Sequence, residues 1–401
     1  MFSSRTPSNL TANRLTEALR AMRAGPSTAL AAGGRPFIDL TESNPTRAGF
    51  DYPSDLLAPL GHSRGLTYAP SPLGALEARR AVASDYARRG LDVAPERIVL
   101  TTSTSEAYGL LFKLLVDPGD EVLVPRPSYP LFDHLARLDA ATPRPYDLEY
   151  HGVWAIDFAS VERAITDRTR AILVVSPNNP TGTFVKPDEL DRLAVLCEHH
   201  EVSLIADEVF ADYGLEPIGA QAAGRPVERR DILAFSLGGL SKSVGLPQVK
   251  LGWIATAGPD RLVGQALDRL ELICDTYLPV STPVQLAASE LLERGALVRD
   301  QIARRVVANN RQLRELVASV PACHVLASDA GWYAVLQVPS LRSEEDLALS
   351  LLHTCAVLVH PGYFFDFPRE SFLVVSLLVE EERFADGVGR VLRHVDGSAA
   401  H

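Results

Sequence analysis

The stretch that decides the fold runs from Leu240 to Trp253 and reads LSKSVGLPQVKLGW. It contains Lys242 and Lys250, two of the four lysines of a chain in which arginine supplies most of the positive charge. An uncharged lysine amine condenses with an aldehyde to form a Schiff base, whereas a guanidinium stays protonated and is a poor nucleophile. Lys242 is therefore a candidate for binding an aldehyde cofactor.

The composition of the chain is that of an ordinary globular protein. Its 401 residues are 46% hydrophobic and 22% charged, which is enough for a large core and for two domains. The net charge of −11 argues against broad binding to nucleic acids or to anionic membranes. The first residues have no apolar signal region, and no later segment reads as a membrane span, so we expect a cytoplasmic protein.

The cysteines do not indicate a disulfide framework or a zinc site. Cys197, Cys274, Cys323 and Cys355 lie far apart and form no CxxC pair. Cys197 is close to a His-His pair, but no second pair of ligands accompanies it. We therefore expect buried free thiols and no metal.

Short apolar runs alternate with longer helical stretches, which is typical of an α/β fold with a mainly parallel sheet covered on both faces. The candidate strands are Arg97–Thr101, Glu121–Val124, Ala171–Val175, Ser203–Ala206, Ile232–Phe235 and Leu251–Ala255. In such sheets the residues just beyond the carboxyl ends of the strands line the ligand crevice. We therefore expect the functional residues at these strand ends.

The character of the sequence changes near residue 285. An Arg-rich helical stretch extends to about Val320 and leads into a smaller αβ segment, with strands near Trp332–Gln337 and Phe372–Leu377. We predict a large domain over residues 50–285. Residues 1–49 and 286–401 would together form a small domain.

Two strand ends carry polar residues suited to a planar cofactor. Asn179 lies in SPNNPTG, where its side chain could donate to a ligand oxygen, although a plain Asn-Pro turn would read the same way. Asp207 follows an apolar strand, and a buried carboxylate there requires a positive partner such as a protonated pyridine nitrogen. A helix cap or a buried salt bridge is the alternative for Asp207.

Two further strand ends carry a hydroxyl cluster and an aromatic ring. Ser103, Thr104 and Ser105 enter an apparent helix, and hydroxyls with free N–H groups at a helix N-terminus suit a phosphate, or simply cap the helix. Tyr129, in RPSYPLF, could stack on a flat ring or pack in the core.

In their order along the chain, these residues resemble those of the class I/II aminotransferases, which are fold-type I enzymes that bind pyridoxal 5'-phosphate (PLP). The resemblance covers nearly the whole chain, and the lysine motif and SPNNPTG are both specific. It implies a large domain with a mostly parallel seven-stranded sheet between helices, plus a smaller αβ domain. It also implies a homodimer with shared active sites.

The resemblance assigns a role to each matching residue. Lys242 corresponds to the Schiff-base lysine, which also moves the proton between the α-carbon and the cofactor. Asp207 corresponds to the partner of the ring nitrogen, and Asn179 to the donor to the phenolic oxygen. The predicted phosphate contacts come from Ser103, Thr104, Ser105, Ser241 and Lys250, with Tyr68 of the neighbouring subunit. Tyr129 corresponds to the stacking ring.

Three positions depart from the family pattern. Phe210 stands where many relatives have a tyrosine, so one hydrogen bond to the phenolic oxygen should be missing and the Schiff-base pKa should be higher. Lys250 replaces an arginine and offers a point charge instead of a bidentate fork. Val374 stands at the apparent position of the arginine that binds the α-carboxylate of the substrate.

A valine cannot bind a carboxylate, so three explanations are open. Another arginine substitutes, with Arg369 and Arg47 as candidates; or the substrate has no carboxylate there; or the strand is aligned a few residues off, which again leaves Arg369. Arg369, Arg47 and the neighbouring Asn44 are the predicted substrate-binding residues.

The predicted activity is transfer of an amino group from an amino acid or amine to a keto acid or aldehyde. A PLP-dependent lyase, cyclase or decarboxylase on the same scaffold is the alternative, because the sequence does not show which substrate bond is held perpendicular to the ring. A non-catalytic PLP-binding protein is the third possibility. The presence of Lys242, Asp207 and Asn179 together argues against it.

Overall fold

The computed structural model describes residues 2–24, 30–31, 35–215 and 223–399 of the chain. Its α-helices are α1 Arg14–Ala24, α2 Leu76–Arg88, α3 Thr104–Leu115, α4 Leu131–Leu138, α5 Phe158–Ala164, α6 Pro187–His200, α7 Leu240–Ser243, α8 Asp260–Tyr277, α9 Thr282–Arg294, α10 Ala296–Val317, α11 Glu344–Ser350 and α12 Glu381–Ala399. Among the described residues, no helix combines the length and the apolar character needed to cross a membrane.

The strands fall into one large sheet and several smaller ones. They are β1 Leu30–Ala31, β2 Arg35–Pro36, β3 Ile38–Asp39, β4 Ile98–Thr101, β5 Glu121–Arg126, β6 Thr142–Tyr150, β7 Trp154–Ile156, β8 Thr169–Val175, β9 Ser203–Asp207, β10 Ala234–Gly239, β11 Gly252–Ala257, β12 His324–Val325, β13 Tyr333–Gln337, β14 Val357–Leu358, β15 His360–Pro361 and β16 Phe372–Ser376.

The large sheet has the order β4-β11-β10-β9-β8-β5-β6-β7. Strands β10, β9, β8, β5 and β6 are parallel to their neighbours in this series, which confirms the predicted α/β class with a mainly parallel sheet. Strand β11 is antiparallel to both β10 and β4, a direction that the predicted mainly parallel sheet leaves open. The connection between β10 and β11 contains only the four-residue helix α7, which is too short to carry the chain back across the sheet for parallel pairing.

The sheet has eight strands, one more than predicted, because β7 adds an antiparallel edge to β6. Neither β6 nor β7 is among the strands predicted from the sequence. Strand β6 contains Pro143 and Pro145, which normally argue against a strand. Both prolines precede the Leu148–Tyr150 part that pairs with β7, so they lie where β6 has a partner on one side only, and an edge tolerates them.

The centre of the large sheet is buried on both faces. Every residue of β4, β9, β10 and β11 is buried, in accord with the continuous apolar runs that predicted these strands. The four cysteines are buried and have free thiols, as expected. Burial raises the pKa of the Cys197 thiol to about 12, so this thiol stays protonated and unreactive at neutral pH.

The C-terminal part builds a second sheet of order β12-β13-β16-β15. The predicted Arg-rich helical stretch consists of two helices, α9 and α10, with Gly295 between them. Strand β3 pairs with β14, which joins Ile38 and Asp39 to the C-terminal part of the chain. This pairing is consistent with the predicted grouping of residues 1–49 with residues 286–401 in one small domain. The domain boundaries themselves stay a prediction.

Candidate active site

The topology of the large sheet brings the predicted site residues to one edge. The carboxyl ends of parallel strands β5, β8, β9 and β10 share this edge, and the paired register of β4 and β11 places Thr101 beside Gly252 there as well. Strand β11 begins where its antiparallel neighbours end. Lys250, which just precedes β11, therefore lies at the same edge as the segments that follow β4 and β10.

Lys242 lies in the short helix α7, directly after β10. Its Nζ atom is 4.9 Å from the ring centroid of Trp332 and 5.7 Å from that of Phe210. Burial among these rings lowers the pKa of the amine to about 8, although Asp207 acts in the opposite direction. With this pKa about a tenth of the amine is uncharged at pH 7, and this uncharged form is the nucleophile.

The backbone of Lys242 is fixed by a residue that the sequence analysis did not predict. The hydroxyl of Tyr213 donates to the carbonyl oxygen of Lys242, and that of Ser243 lies 3.3 Å away. The Tyr213 ring packs edge-on against Trp332, with centroids 5.2 Å apart. This contact holds the lysine main chain in place while its side chain remains unbonded to Tyr213.

Asp207 is the last residue of β9, and its carboxylate is buried. One oxygen, Oδ1, accepts the backbone N–H of Val209 at 3.2 Å, and Oδ2 accepts the hydroxyl of Tyr108 at 2.9 Å. Burial raises the pKa of Asp207, while these two hydrogen bonds and the charge of Lys242 lower it. Two donors thus orient the carboxylate, and the charge of Lys242 is close enough to lower its pKa.

The SPNNPTG loop after β8 presents Asn179. The side-chain oxygen of Asn178 accepts from Thr181, from its N–H at 3.3 Å and from its hydroxyl at 3.0 Å, and thereby shapes the loop. The Oδ1 atom of Asn179 is buried and has no hydrogen-bond partner among the described residues. The Nδ2 atom of Asn178 is likewise buried without a partner among the described residues, so both amides of this loop keep a polar atom that a ligand could satisfy.

The segment after β4 forms the N-terminus of α3. Ser103 is the N-cap, and its Oγ accepts the backbone N–H of Glu106 at 3.1 Å. Thr104 and Ser105 are the first helical residues and are partly exposed. A 12-residue helix with hydroxyls at its N-terminus offers N–H groups to an anion. Capping and anion binding, which the sequence left as alternatives, are compatible here.

Ser241 and Lys250 lie at the same edge of the sheet, after β10 and before β11 respectively. Ser241 follows β10 in α7, and Lys250 is exposed with a left-handed backbone, at φ 62°. A side chain at Gly252 would approach the backbone of Ser103 at 2.9 Å, so glycine there permits the Lys250 segment to lie close to the helix terminus. Strained backbone of this kind is typical of functional loops.

Tyr129, which follows β5, is 46% exposed, so the core-packing alternative does not apply to it. It is close to Tyr333, whose pKa is raised to about 12 mainly by burial and further by Tyr129. The ring centroid of Tyr333 is 6.4 Å from that of Phe210. Tyr129 therefore belongs to the same aromatic surroundings as Lys242.

Phe210 carries no hydroxyl, and its ring packs edge-on against Trp332 with centroids 5.3 Å apart. Val374 is fully buried in β16, where it pairs with Val335 and His360 and lies on the sheet face that carries Tyr333. Burial lowers the pKa of His360 to about 4, so this histidine is neutral at physiological pH. The apparent clamp position is therefore apolar, and its paired neighbours bring no cation.

The remaining predicted residues are not joined to this cluster by any contact in the described part of the chain. Tyr68 is 70% exposed. Arg369 is exposed, with its guanidinium 5.8 Å from the ring centroid of Phe372, and Arg47 is exposed in a short 3-10 helix. Asn44 caps that helix by accepting the N–H of Thr46 at 3.1 Å.

Comparison with known proteins agrees with the fold and the motifs. The family model described as aminotransferase class I and II matches residues 36–390. The chain is 27% identical to an alanine aminotransferase of Mycobacterium tuberculosis, over 90% of this chain and 86% of that protein. It is 26% identical to the glutamate-pyruvate aminotransferase AlaA of Escherichia coli, over 86% of this chain and 87% of that protein.

Solved structures show the same architecture. An alanine aminotransferase from Pyrococcus furiosus superposes with a TM-score of 0.86 at 21% identity, covering 99% of this chain and all of that one. An Escherichia coli aminotransferase gives a TM-score of 0.82 at 22% identity, covering 99% of this chain and 98% of that one. The resemblance inferred from the lysine motif and SPNNPTG is confirmed. The chain belongs to the class I and II aminotransferase family and has the fold-type I architecture of PLP-dependent aminotransferases.

Proposed function

We propose that this aminotransferase binds pyridoxal 5'-phosphate at the shared edge of the large sheet and transfers an amino group from an α-amino acid to a keto acid. The observation that carries the proposal is the amine of Lys242, with its lowered pKa, beside the buried carboxylate of Asp207. When bound, PLP supplies an aldehyde carbon for an amine and a protonated pyridine ring that withdraws electrons from the substrate α-carbon.

The donor set of the site fits this cofactor. Lys242 offers an amine that is partly uncharged at neutral pH, for the aldehyde carbon. Asp207 offers an oriented carboxylate for the ring nitrogen. Asn179, which is buried in the loop after β8, would donate its side-chain N–H to the phenolic oxygen. The three side chains follow three adjacent strands, β8, β9 and β10, so one planar molecule could meet all three.

The N-terminus of α3 suits the phosphate. Ser103, Thr104 and Ser105 supply hydroxyls and N–H groups there, and Ser241 and Lys250 come from the neighbouring strands. Tyr129 would stack on the ring. Tyr68 has no role in its own subunit's cluster and would reach the phosphate of a second copy in a homodimer.

With the cofactor bound, Lys242 would serve as the base that moves the substrate proton. Its Nζ would remove the proton from the substrate α-carbon and return one later, which requires an amine whose pKa is near the working pH. Asp207 stays ionised and keeps the ring nitrogen protonated. Trp332 and Phe210 keep water away from the amine.

We infer that the substrates carry an α-carboxylate. The named relatives act on alanine, glutamate and pyruvate, all of which have one. Because Val374 cannot bind this group, Arg47 or Arg369 would supply the cation, with Asn44 in the adjacent loop. Both arginines are exposed and would have to turn toward the site when substrate binds.

The test begins with the visible spectrum of the protein loaded with PLP. Alanine and glutamate are added in turn, and then amines without an α-carboxylate, and the keto product and free ammonia are measured. We expect α-amino acids to convert the cofactor to its amine form without release of ammonia. Conversion only by carboxylate-free amines would overturn the substrate assignment, and release of ammonia without an acceptor would identify a lyase.

The lysine assignment has a matched control in this chain. Lys242→Ala is expected to fold and to lose the visible band of the covalently bound cofactor. Lys113→Ala removes a lysine that pairs with Asp139 at the surface of α3 and should keep the band. A band that survives in Lys242→Ala would remove Lys242 from its role.

A further inference from the structure

Tyr108 connects two parts of the site that are distant in sequence. It lies in α3, one helical turn after Thr104, and its side chain is only 1% exposed. Its hydroxyl donates to Oδ2 of Asp207 at 2.9 Å. The helix whose N-terminus suits the phosphate therefore also holds the carboxylate that suits the ring nitrogen.

The Tyr108 ring has little freedom to move its hydroxyl. Phe132 packs edge-on against it with centroids 5.3 Å apart and an interplanar angle of 68°, and Phe112 lies one turn further along α3 at 6.0 Å. An aromatic side chain has only two rotatable bonds, and both are constrained by this packing. The position of the hydroxyl is consequently set by the core and not by the ligand.

Besides Tyr108, burial and two other groups act on the charge of Asp207. Burial raises its pKa, whereas the N–H of Val209 and the charge of Lys242 in α7 lower it and so favour the ionised carboxylate. The neighbouring Glu208 is also buried, which raises its pKa, and Arg89 acts in the opposite direction on Glu208. Among the described residues, Tyr108 is the side chain that donates a hydrogen bond to Asp207.

We propose that Tyr108 is a positioning residue that holds the Asp207 carboxylate oriented and ionised for the cofactor ring, so that α3 couples ring recognition to phosphate recognition. This inference rests on the proposed PLP function. Oδ2 accepts from Tyr108 and Oδ1 accepts from Val209 at 3.2 Å, so the carboxylate cannot rotate without loss of a hydrogen bond. These two contacts also fix the direction in which the remaining lone pairs of the Asp207 carboxylate point.

The test compares Tyr108→Phe with Tyr146→Phe. Each variant removes one buried hydroxyl, but Tyr146 donates to the neutral carbonyl of Leu173, at 2.9 Å, and not to a carboxylate. The readouts are the dissociation constant of PLP from the apoprotein and its dependence on pH. Cofactor binding weakens as the pH falls through the pKa of Asp207, which gives the acid limb of the profile.

For Tyr108→Phe we expect the dissociation constant to rise about tenfold and the acid limb to move up by about one pH unit, since a hydrogen bond to a charged acceptor is lost. The direction follows because the lost donor stabilises the ionised form, so the pKa of Asp207 rises. Tyr146→Phe should lower thermal stability and leave the acid limb where it is. An unchanged acid limb in Tyr108→Phe would refute the inference.

A double-mutant cycle separates this inference from the proposed function. In an Asp207→Asn background, Tyr108→Phe should no longer change the dissociation constant, because its partner is no longer a carboxylate. An equal effect in both backgrounds would make Tyr108 a merely structural residue. If Asp207→Asn alone leaves cofactor binding unchanged, the proposed role of Asp207 fails first, and the inference about Tyr108 fails with it.

Discussion

The lowered pKa of Lys242 has a consequence for the stability of the apoprotein. Burial brings the pKa from 10.5 to about 8, a difference of about 2.5 pH units. At about 1.36 kcal/mol per unit, the charged amine costs the folded state up to about 3 kcal/mol. The side chain remains partly accessible to solvent, which makes this figure an upper value. Lys242→Met, which removes the charge and keeps an apolar side chain, should therefore stabilise the cofactor-free protein at pH 7.

The pH dependence gives the sign of the effect. The unfolded chain binds the proton more tightly than the folded chain, so between about pH 8 and 10.5 the stability of the parent protein rises with pH. The penalty is complete below about pH 8 and has disappeared above pH 10.5. The advantage of Lys242→Met should accordingly be largest at pH 7 and should vanish by about pH 10.5.

The assay is urea unfolding of both apoproteins at pH 7, 9 and 10.5, followed by circular dichroism. Lys113→Met serves as the control, because it removes a lysine that pairs with Asp139 and should lower stability instead of raising it. If Lys242→Met is less stable than the parent at pH 7, or if its advantage does not change with pH, the inference of a destabilised charged amine is wrong.

Other substitutions test other parts of the site. Phe210→Tyr should add a hydrogen-bond donor near the phenolic oxygen of the cofactor. The pH midpoint of the change in the cofactor's visible band should then fall by about one unit. A midpoint at or above that of the parent protein would contradict this. Either Arg47→Met or Arg369→Met should raise the KM for alanine at least about tenfold, and normal kinetics in both variants would exclude them as the carboxylate clamp. A heterodimer of one Tyr68→Phe subunit and one Lys242→Ala subunit should contain one intact site, which PLP titration of the mixture can detect. If titration finds no intact site in the mixture, the two subunits do not share their active sites.

The candidate site residues at the strand ends could be predicted because the sequence signals for them are local. Asp207, Asn179 and Lys242 each follow a buried apolar run, and the topology of a parallel sheet brings such ends together without further information. The lysine motif also gave the family. The direction of β11 was not predicted, because an apolar run looks the same in a parallel and an antiparallel strand.

The partners of these residues could not be predicted from local pattern. Tyr108 looks like one more core aromatic of an amphipathic helix, and its contact with Asp207 spans 99 residues of sequence. Trp332 immediately precedes β13 of the second sheet, so its place near Lys242 depends on how the two sheets pack. One signal was nevertheless present: Tyr108 follows the predicted phosphate segment by one helical turn, which directs it back toward the same edge.

Tyr213 and Tyr108 are both buried, and they restrain different parts of the residues that they bind. The Tyr213 hydroxyl donates to the main-chain carbonyl oxygen of Lys242 and makes no hydrogen bond to the lysine amine. Tyr108 binds the side chain of Asp207 itself. In the function proposed above this difference matters, because Lys242 would have to move its amine when it transfers a proton, whereas Asp207 would keep one position and one charge as the partner of the ring nitrogen. The sequence places both residues at strand ends, and the two tyrosines restrain the side chain of Asp207 but only the main chain of Lys242.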